Sequence, residues 1–175
     1  MQPVKAIFLD IDGTLVSFRT HRIPQSALDA LRKVRQKGVK LFIATGRPMP
    51  FVDNVGELEL DGIVSVNGAS CRTSEGQVIR HRPIPKDDLL RLVDELRHRP
   101  FPVAFASDDD VFLTAPSPDV DEIFEVLNLP IPTIRPVEDC LQMDVMQAIA
   151  FFTPDEEPRL MDEVFPHCAA QRWHP

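Results

Sequence analysis

The run Val4-Lys5-Ala6-Ile7-Phe8-Leu9 ends in Asp10-Ile11-Asp12-Gly13-Thr14, and this junction limits the fold more than any other stretch. A short apolar run bounded by polar residues predicts a buried strand over about residues 4–9. In an open α/β sheet, ligands bind in the crevice outside the carboxyl ends of the strands. Asp10 and Asp12 therefore leave the core where a substrate can meet them. One carboxylate of such a pair can attack phosphorus, and the other can move the proton. Two anions facing a phosphate call for a hard cation with oxygen ligands, and Mg²⁺ fits. Gly13 allows a sharp turn that brings backbone N–H groups near the phosphate. Asp-Gly alone also fits an ordinary turn.

Two further strands are predicted to end at chemistry-bearing residues. Ala27, Leu28, Leu31 and Val34 recur at helical spacing before Gly38, and residues 39–44 then read as a second buried strand. The resulting βαβ unit implies parallel strands joined by a right-handed crossover. Thr45-Gly46-Arg47-Pro48 follows the second strand. The Thr45 hydroxyl and the Gly46 N–H suit phosphate oxygens, and Arg47 suits a substrate anion. A helix-capping threonine fits the same residues. Phe51, Val52, Val55 and Leu58 suggest a short helix. Residues 63–66 read as a third strand ended by Asn67-Gly68, either a site residue or a turn.

The string Asp10-x-Asp12-Gly13-Thr14 resembles the first motif of the haloacid dehalogenase-like superfamily, and Ala44-Thr45-Gly46-Arg47 resembles its second motif as carried by the Cof-type branch. The resemblance implies an α/β fold with a Rossmann-like core. It implies Asp10 as nucleophile, Asp12 as general acid/base, and both as metal positions for Mg²⁺. Thr45 matches the phosphate-binding hydroxyl, with Gly13 and Gly46 beside it. Arg47 and Asn67 are the expected substrate contacts. The implied reaction is hydrolysis of a small phosphorylated metabolite, a sugar phosphate above all, through an aspartyl-phosphate. A phosphomutase and a non-catalytic remnant that binds a phosphorylated ligand or a protein are the alternatives.

After a hairpin over 69–72 and 77–82, Pro83-Ile84-Pro85 marks a boundary between a core (1–82) and an inserted α+β cap (83–175). Within the cap, Leu89, Leu92, Val93 and Leu96 predict a helix. Strands are expected over 103–106, 111–114 and 147–152, and a last short one over 169–173. Helices are expected from Pro118 and over 154–165, and Ser107 to Asp110 reads as a solvated turn. The family's later lysine and acidic motifs are not found in these 175 residues. The chain accordingly reads as the first half of the core plus cap, truncated after the cap, with self-association through the incomplete core.

Composition narrows the partners. A net charge of −8 argues against nucleic acid, and no apolar run approaches a membrane span. No signal peptide is visible, so a cytoplasmic setting is expected. Cys71, Cys140 and Cys168 are widely spaced and odd in number, which predicts reduced structural thiols. His167 and His174 are expected at the surface.

Overall fold

A computed structural model describes residues 3–53, 55–56 and 58–172. The chain divides into two compact units, Met1–Arg82 with Val126–Leu129, and Pro83–Glu125 with Pro130–Pro175.

The first unit is built on a five-stranded sheet in the order β1-β2-β3-β4-β5. Strands β1 (Ala6–Leu9), β2 (Lys40–Ala44) and β3 (Gly62–Ser65) run parallel, with helix α1 (Gln25–Gln36) crossing between the first two. Strands β4 (Ser70–Thr73) and β5 (Val78–His81) then add on antiparallel as a hairpin. Side chains alternate across a strand, so Ile7, Leu9, Leu41, Ile43 and Ile63 share a face with Leu31 and Val34 of α1. Fully burying an aliphatic side chain, as at Leu41 and Ile43, is worth about 1.5–3 kcal/mol. Phe8 points the other way, is 58% exposed, and stacks on Phe42 at 4.8 Å.

Gly62 is required by close packing. A Cβ there would lie 2.6 Å from the Arg72 carbonyl oxygen and 3.3 Å from the Phe42 ring. The carbonyl belongs to the paired strand β4 and cannot give way without opening the ladder. Gly62→Ala is therefore expected to destabilise the protein by about 1–3 kcal/mol, the scale of an overpacked core. Urea denaturation checks this, with a fall in midpoint at unchanged slope as the expected result.

The second unit carries a four-stranded sheet in the order β8-β7-β6-β9. Its strands are β6 (Val103–Ala106), β7 (Val111–Leu113), β8 (Thr133–Ile134) and β9 (Gln147–Ala150). Helix α2 (Lys86–His98) buries Leu89, Leu92, Val93 and Leu96, whose i, i+3, i+4, i+7 spacing makes one apolar stripe. This stripe belongs to one core with Val103, Phe105 and Phe112. Helices α3 (Pro118–Val126) and α4 (Glu157–Glu163) are the other α-helices among the described residues, with Leu160 of α4 in that same core.

Several expectations are corrected. The helix predicted around Phe51 to Leu58 is a single 3₁₀ turn at Met49–Phe51 among the described residues. Prolines at 48 and 50 restrict the entry, and Gly56 weakens any continuation. Val52, Val55 and Leu58 still pack on the core, but from loop backbone. The helix expected over 154–165 is a 3₁₀ turn at Pro154–Glu156 followed by α4. No strand forms over 169–172, and Trp173 and His174 lie outside the described residues. Strand β8 and a 3₁₀ segment at Val137–Gln142 have no counterpart in the sequence reading.

The turn at Ser107 to Asp110 is anchored rather than freely solvated. Asp108 is buried, the Ser107 hydroxyl oxygen accepts from the Asp109 and Asp110 amides, and Arg135 donates to Asp110 at 2.6 Å. All three cysteines are free. Burial pushes the Cys140 and Cys168 thiols up to about 11, which keeps them protonated near neutral pH. No helix among the described residues is long and apolar enough to cross a membrane.

Candidate active site

The parallel register carries the sequence motifs to one sheet edge. Leu9 pairs with Ile43, and Ala44 pairs with Val64. Asp10, Thr45 and Asn67 therefore all follow strands that leave the sheet at the same carboxyl end, within the first unit.

The loop after β1 is pinned by its apolar residues and by its own backbone. Ile11, Leu15 and Val16 are buried, whereas Asp10 is exposed and Asp12 half-buried. The Gly13 amide donates to the Val16 carbonyl at 2.9 Å, and the Val16 amide returns to the Ile11 carbonyl at 2.8 Å. Burying Ile11 anchors this loop, and the carboxylates on either side of it stay more open than it does. Gly13 sits at φ 75°, in the left-handed region that favours glycine. The Thr14 hydroxyl, which sequence reasoning left without a role, donates to Asp10 Oδ2 at 3.5 Å. Its place in the first motif was the available signal.

After β2, Thr45 is buried and its amide donates to the Val64 carbonyl. The Thr45 Oγ1 accepts from the Arg47 amide at 3.1 Å, a bond that leaves the hydroxyl proton free to donate. The loop after β3 is stitched to this one: the Asn67 amide donates to the Thr45 carbonyl and the Val66 amide to the Arg47 carbonyl, each at 3.1 Å. Val66 and Asn67 both have φ 51°, and for a β-branched residue such as Val66 this is a strained conformation. The Asn67 side chain lies over Gly46, with Oδ1 3.1 Å from where a Cβ on that glycine would stand.

Arg47, an expected substrate contact, is paired with Asp12. Its Nε donates to Asp12 Oδ2 at 2.8 Å and its Nη2 to Asp12 Oδ1 at 2.7 Å, a two-point fork across 35 residues of sequence. Its Nη1 donates to the Phe51 carbonyl at 2.9 Å, and Nη2 also donates to the Leu127 carbonyl at 3.2 Å. The Arg47 side chain is only 5% exposed.

For a divalent cation, the donors on offer are the carboxylates of Asp10 and Asp12. No group of three or more acidic, histidine or cysteine side chains gathers among the described residues. Two hard oxygen donors at an open edge fit Mg²⁺, which takes one or two carboxylates and fills its shell with water and phosphate oxygens. They do not fit a structural zinc centre, which takes four side-chain ligands.

Comparison with known proteins gives this geometry a context. A family model described as haloacid dehalogenase-like hydrolase matches residues 7–172. YkrA of Bacillus subtilis, which carries a phosphatase name, is 30% identical over 175 residues, covering 97% of this chain and 65% of its own. A solved structure described as a HAD subclass IIB sugar phosphatase superposes with a TM-score of 0.85 at 36% identity, covering 98% of this chain and 67% of its own. A phosphatase structure from Bacteroides thetaiotaomicron gives a TM-score of 0.84 at 34% identity, covering 98% and 64%. The chain thus spans about two thirds of the length of these relatives.

Proposed function

This chain belongs to the haloacid dehalogenase-like hydrolase family, and from that membership we propose that it serves hydrolysis of small phosphorylated metabolites, sugar phosphates above all. The observation that carries this reading is the shared strand edge that brings an exposed Asp10, a half-buried Asp12 and a buried Thr45 to one end of the sheet, with Asp12 fixed by a two-point ion pair. A sugar phosphatase among the similar structures supports the substrate class.

In this mechanism the Asp10 carboxylate attacks phosphorus in line, and the bond from phosphorus to the leaving alcohol oxygen breaks. Asp12 supplies the proton that the departing alkoxide needs. Asp12 then takes a proton from water, whose oxygen attacks the aspartyl-phosphate, releasing inorganic phosphate and restoring Asp10. The Thr45 hydroxyl and the Gly46 amide hold the phosphoryl oxygens, and Asn67 closes the site over Gly46. Gly13 supplies the left-handed turn that shapes the loop beside it, with its own amide kept on the Val16 carbonyl. Asp10 and Asp12 would hold Mg²⁺, which when bound neutralises charge between the carboxylates and the phosphate. Positioning and charge stabilisation account for most of the catalysis in phosphoryl transfer.

Phosphate release from a panel of sugar phosphates, with and without Mg²⁺, tests the reading. Release that depends on Mg²⁺ and saturates with one sugar phosphate is the expected result. No release from a folded chain across the panel would overturn the proposal for this chain.

A further inference from the structure

We propose that Arg47 is a positioning residue for Asp12, holding the acid/base carboxylate in one orientation and lending no donor to the substrate's anion. This inference rests on the phosphatase reading above for its kinetic consequence, but its geometry stands apart from it.

A guanidinium has five N–H donors. In Arg47 four of them are already committed: two to the oxygens of Asp12, one to the Phe51 carbonyl and one to the Leu127 carbonyl. Nη1, which carries the fifth, lies 3.9 Å from Asp53 Oδ1. A phosphate that took one of the four committed N–H groups would displace its partner and leave a polar group unpaired, which typically costs about 1–3 kcal/mol. One that approached the fifth would meet the Asp53 carboxylate, whose charge repels it. Exposure agrees with this direction. The Arg47 side chain is 5% exposed and that of Asp12 21%, so of the two partners the carboxylate is the more open to solvent.

The backbone of Arg47 is fixed as firmly as its side chain. Its amide donates to Thr45 Oγ1 and its carbonyl accepts from the Val66 amide, which binds it to the loops after β2 and β3. Asp12 belongs to the loop after β1. The ion pair therefore ties the first loop to the other two and sets the direction of Asp12 from outside its own loop. A fork of two parallel bonds fixes the carboxylate plane, which a single bond from a lysine would leave free to rotate. Removing a partner that orients a catalytic ligand typically lowers activity about 10- to 100-fold.

Two measurements separate this role from a substrate contact. In the kinetic one, Arg47→Lys and Arg47→Ala are compared with the unaltered chain on the sugar phosphate that it turns over fastest. The expected result is a fall in kcat of about 10- to 100-fold with KM changed less than about 3-fold, and partial rescue of Arg47→Ala by added guanidinium. A raised KM at unchanged kcat would mean that Arg47 binds substrate, and would overturn the proposal. The second measurement needs no turnover: hydrogen exchange of the Arg47 Nε–H by NMR in the unaltered chain and in Asp12→Asn. Strong protection that falls at least about 10-fold in Asp12→Asn supports the pair. Protection that survives in Asp12→Asn, or is missing from the unaltered chain, overturns it. Arg47→Gln, which keeps a donor for the Phe51 carbonyl, replaces Arg47→Ala if the latter melts at the assay temperature. Should the unaltered chain release no phosphate, the phosphatase reading fails while the exchange measurement still decides the ion pair.

Discussion

Asp10→Asn is expected to lower Mg²⁺-dependent phosphate release by about 10³-fold or more while leaving the fold intact. In the proposed mechanism the amide keeps the shape of the carboxylate but lacks the attacking oxygen, so no aspartyl-phosphate can form. Loss of a nucleophile from a set of groups that act together removes most of the catalysis that the set provides. The structural cost is small because Asp10 is exposed and its side-chain contact is a 3.5 Å bond from Thr14. Substitutions at such positions usually change stability by less than about 0.5 kcal/mol. Steady-state assay of phosphate, with thermal denaturation of the same samples, checks both halves. Turnover within about tenfold of the unaltered chain would remove Asp10 from the nucleophile's place.

Asp88→Ala is expected to cost about 2–3 kcal/mol of stability without touching the strand edge of the first unit. Asp88 lies in the first turn of α2, and its side chain is fully buried. It accepts from Arg91 Nη1 at 2.7 Å, pairs with His167 Nδ1 at 2.9 Å, and accepts from the His167 amide at 3.2 Å and the Cys168 thiol at 3.5 Å. One carboxylate thus fastens the segment after α4 to the start of α2. Breaking a fully buried ion pair can cost about 3–5 kcal/mol, but Arg91 and His167 are 41% and 59% exposed and can turn to water. The lower range follows from that.

Acid should act on the same contact. Burial by itself pushes the Asp88 carboxyl up, yet the His167 ring, the His167 amide and the Cys168 thiol outweigh it and hold the group below the usual carboxylate range. A carboxyl whose value is lower folded than unfolded contributes stability that is fully present above the unfolded value, about 3.9. That contribution fades as pH falls from there through the folded value. Denaturant midpoints of the unaltered chain should therefore drop below about pH 4, and those of Asp88→Asn should drop less. Equal acid sensitivity in the two proteins would assign the loss to other carboxylates.

The helix expected around Phe51 to Leu58 shows where sequence reading failed. Apolar spacing records which residues face the core, and Val52, Val55 and Leu58 do face it. Spacing does not record the backbone that carries them there, and prolines at 48 and 50 with Gly56 favour a loop. His167 is a similar case. Its ring is 59% exposed, in keeping with the expected surface position, but its partner Asp88 lies 79 residues earlier in the chain. No local pattern couples two such positions.

The parallel strands β1, β2 and β3, by contrast, were legible because each is a short apolar run closed by polar or turn-forming residues. Asp-x-Asp-Gly-Thr and Ala-Thr-Gly-Arg marked the ends of β1 and β2, and the family followed from those strings. The sequence by itself determined which residue types stand at the sheet's carboxyl edge, since alternation and chain breaking are local properties of the backbone. Only the tertiary structure decided whom those residues face. Arg47 reads as an anion binder in isolation, and the parallel register of β1 and β2 sets it beside the Asp12 carboxylate, to which it donates two short bonds. A side chain's chemistry is written in the chain, but its partner is set by which distant loop the packing brings within hydrogen-bond reach.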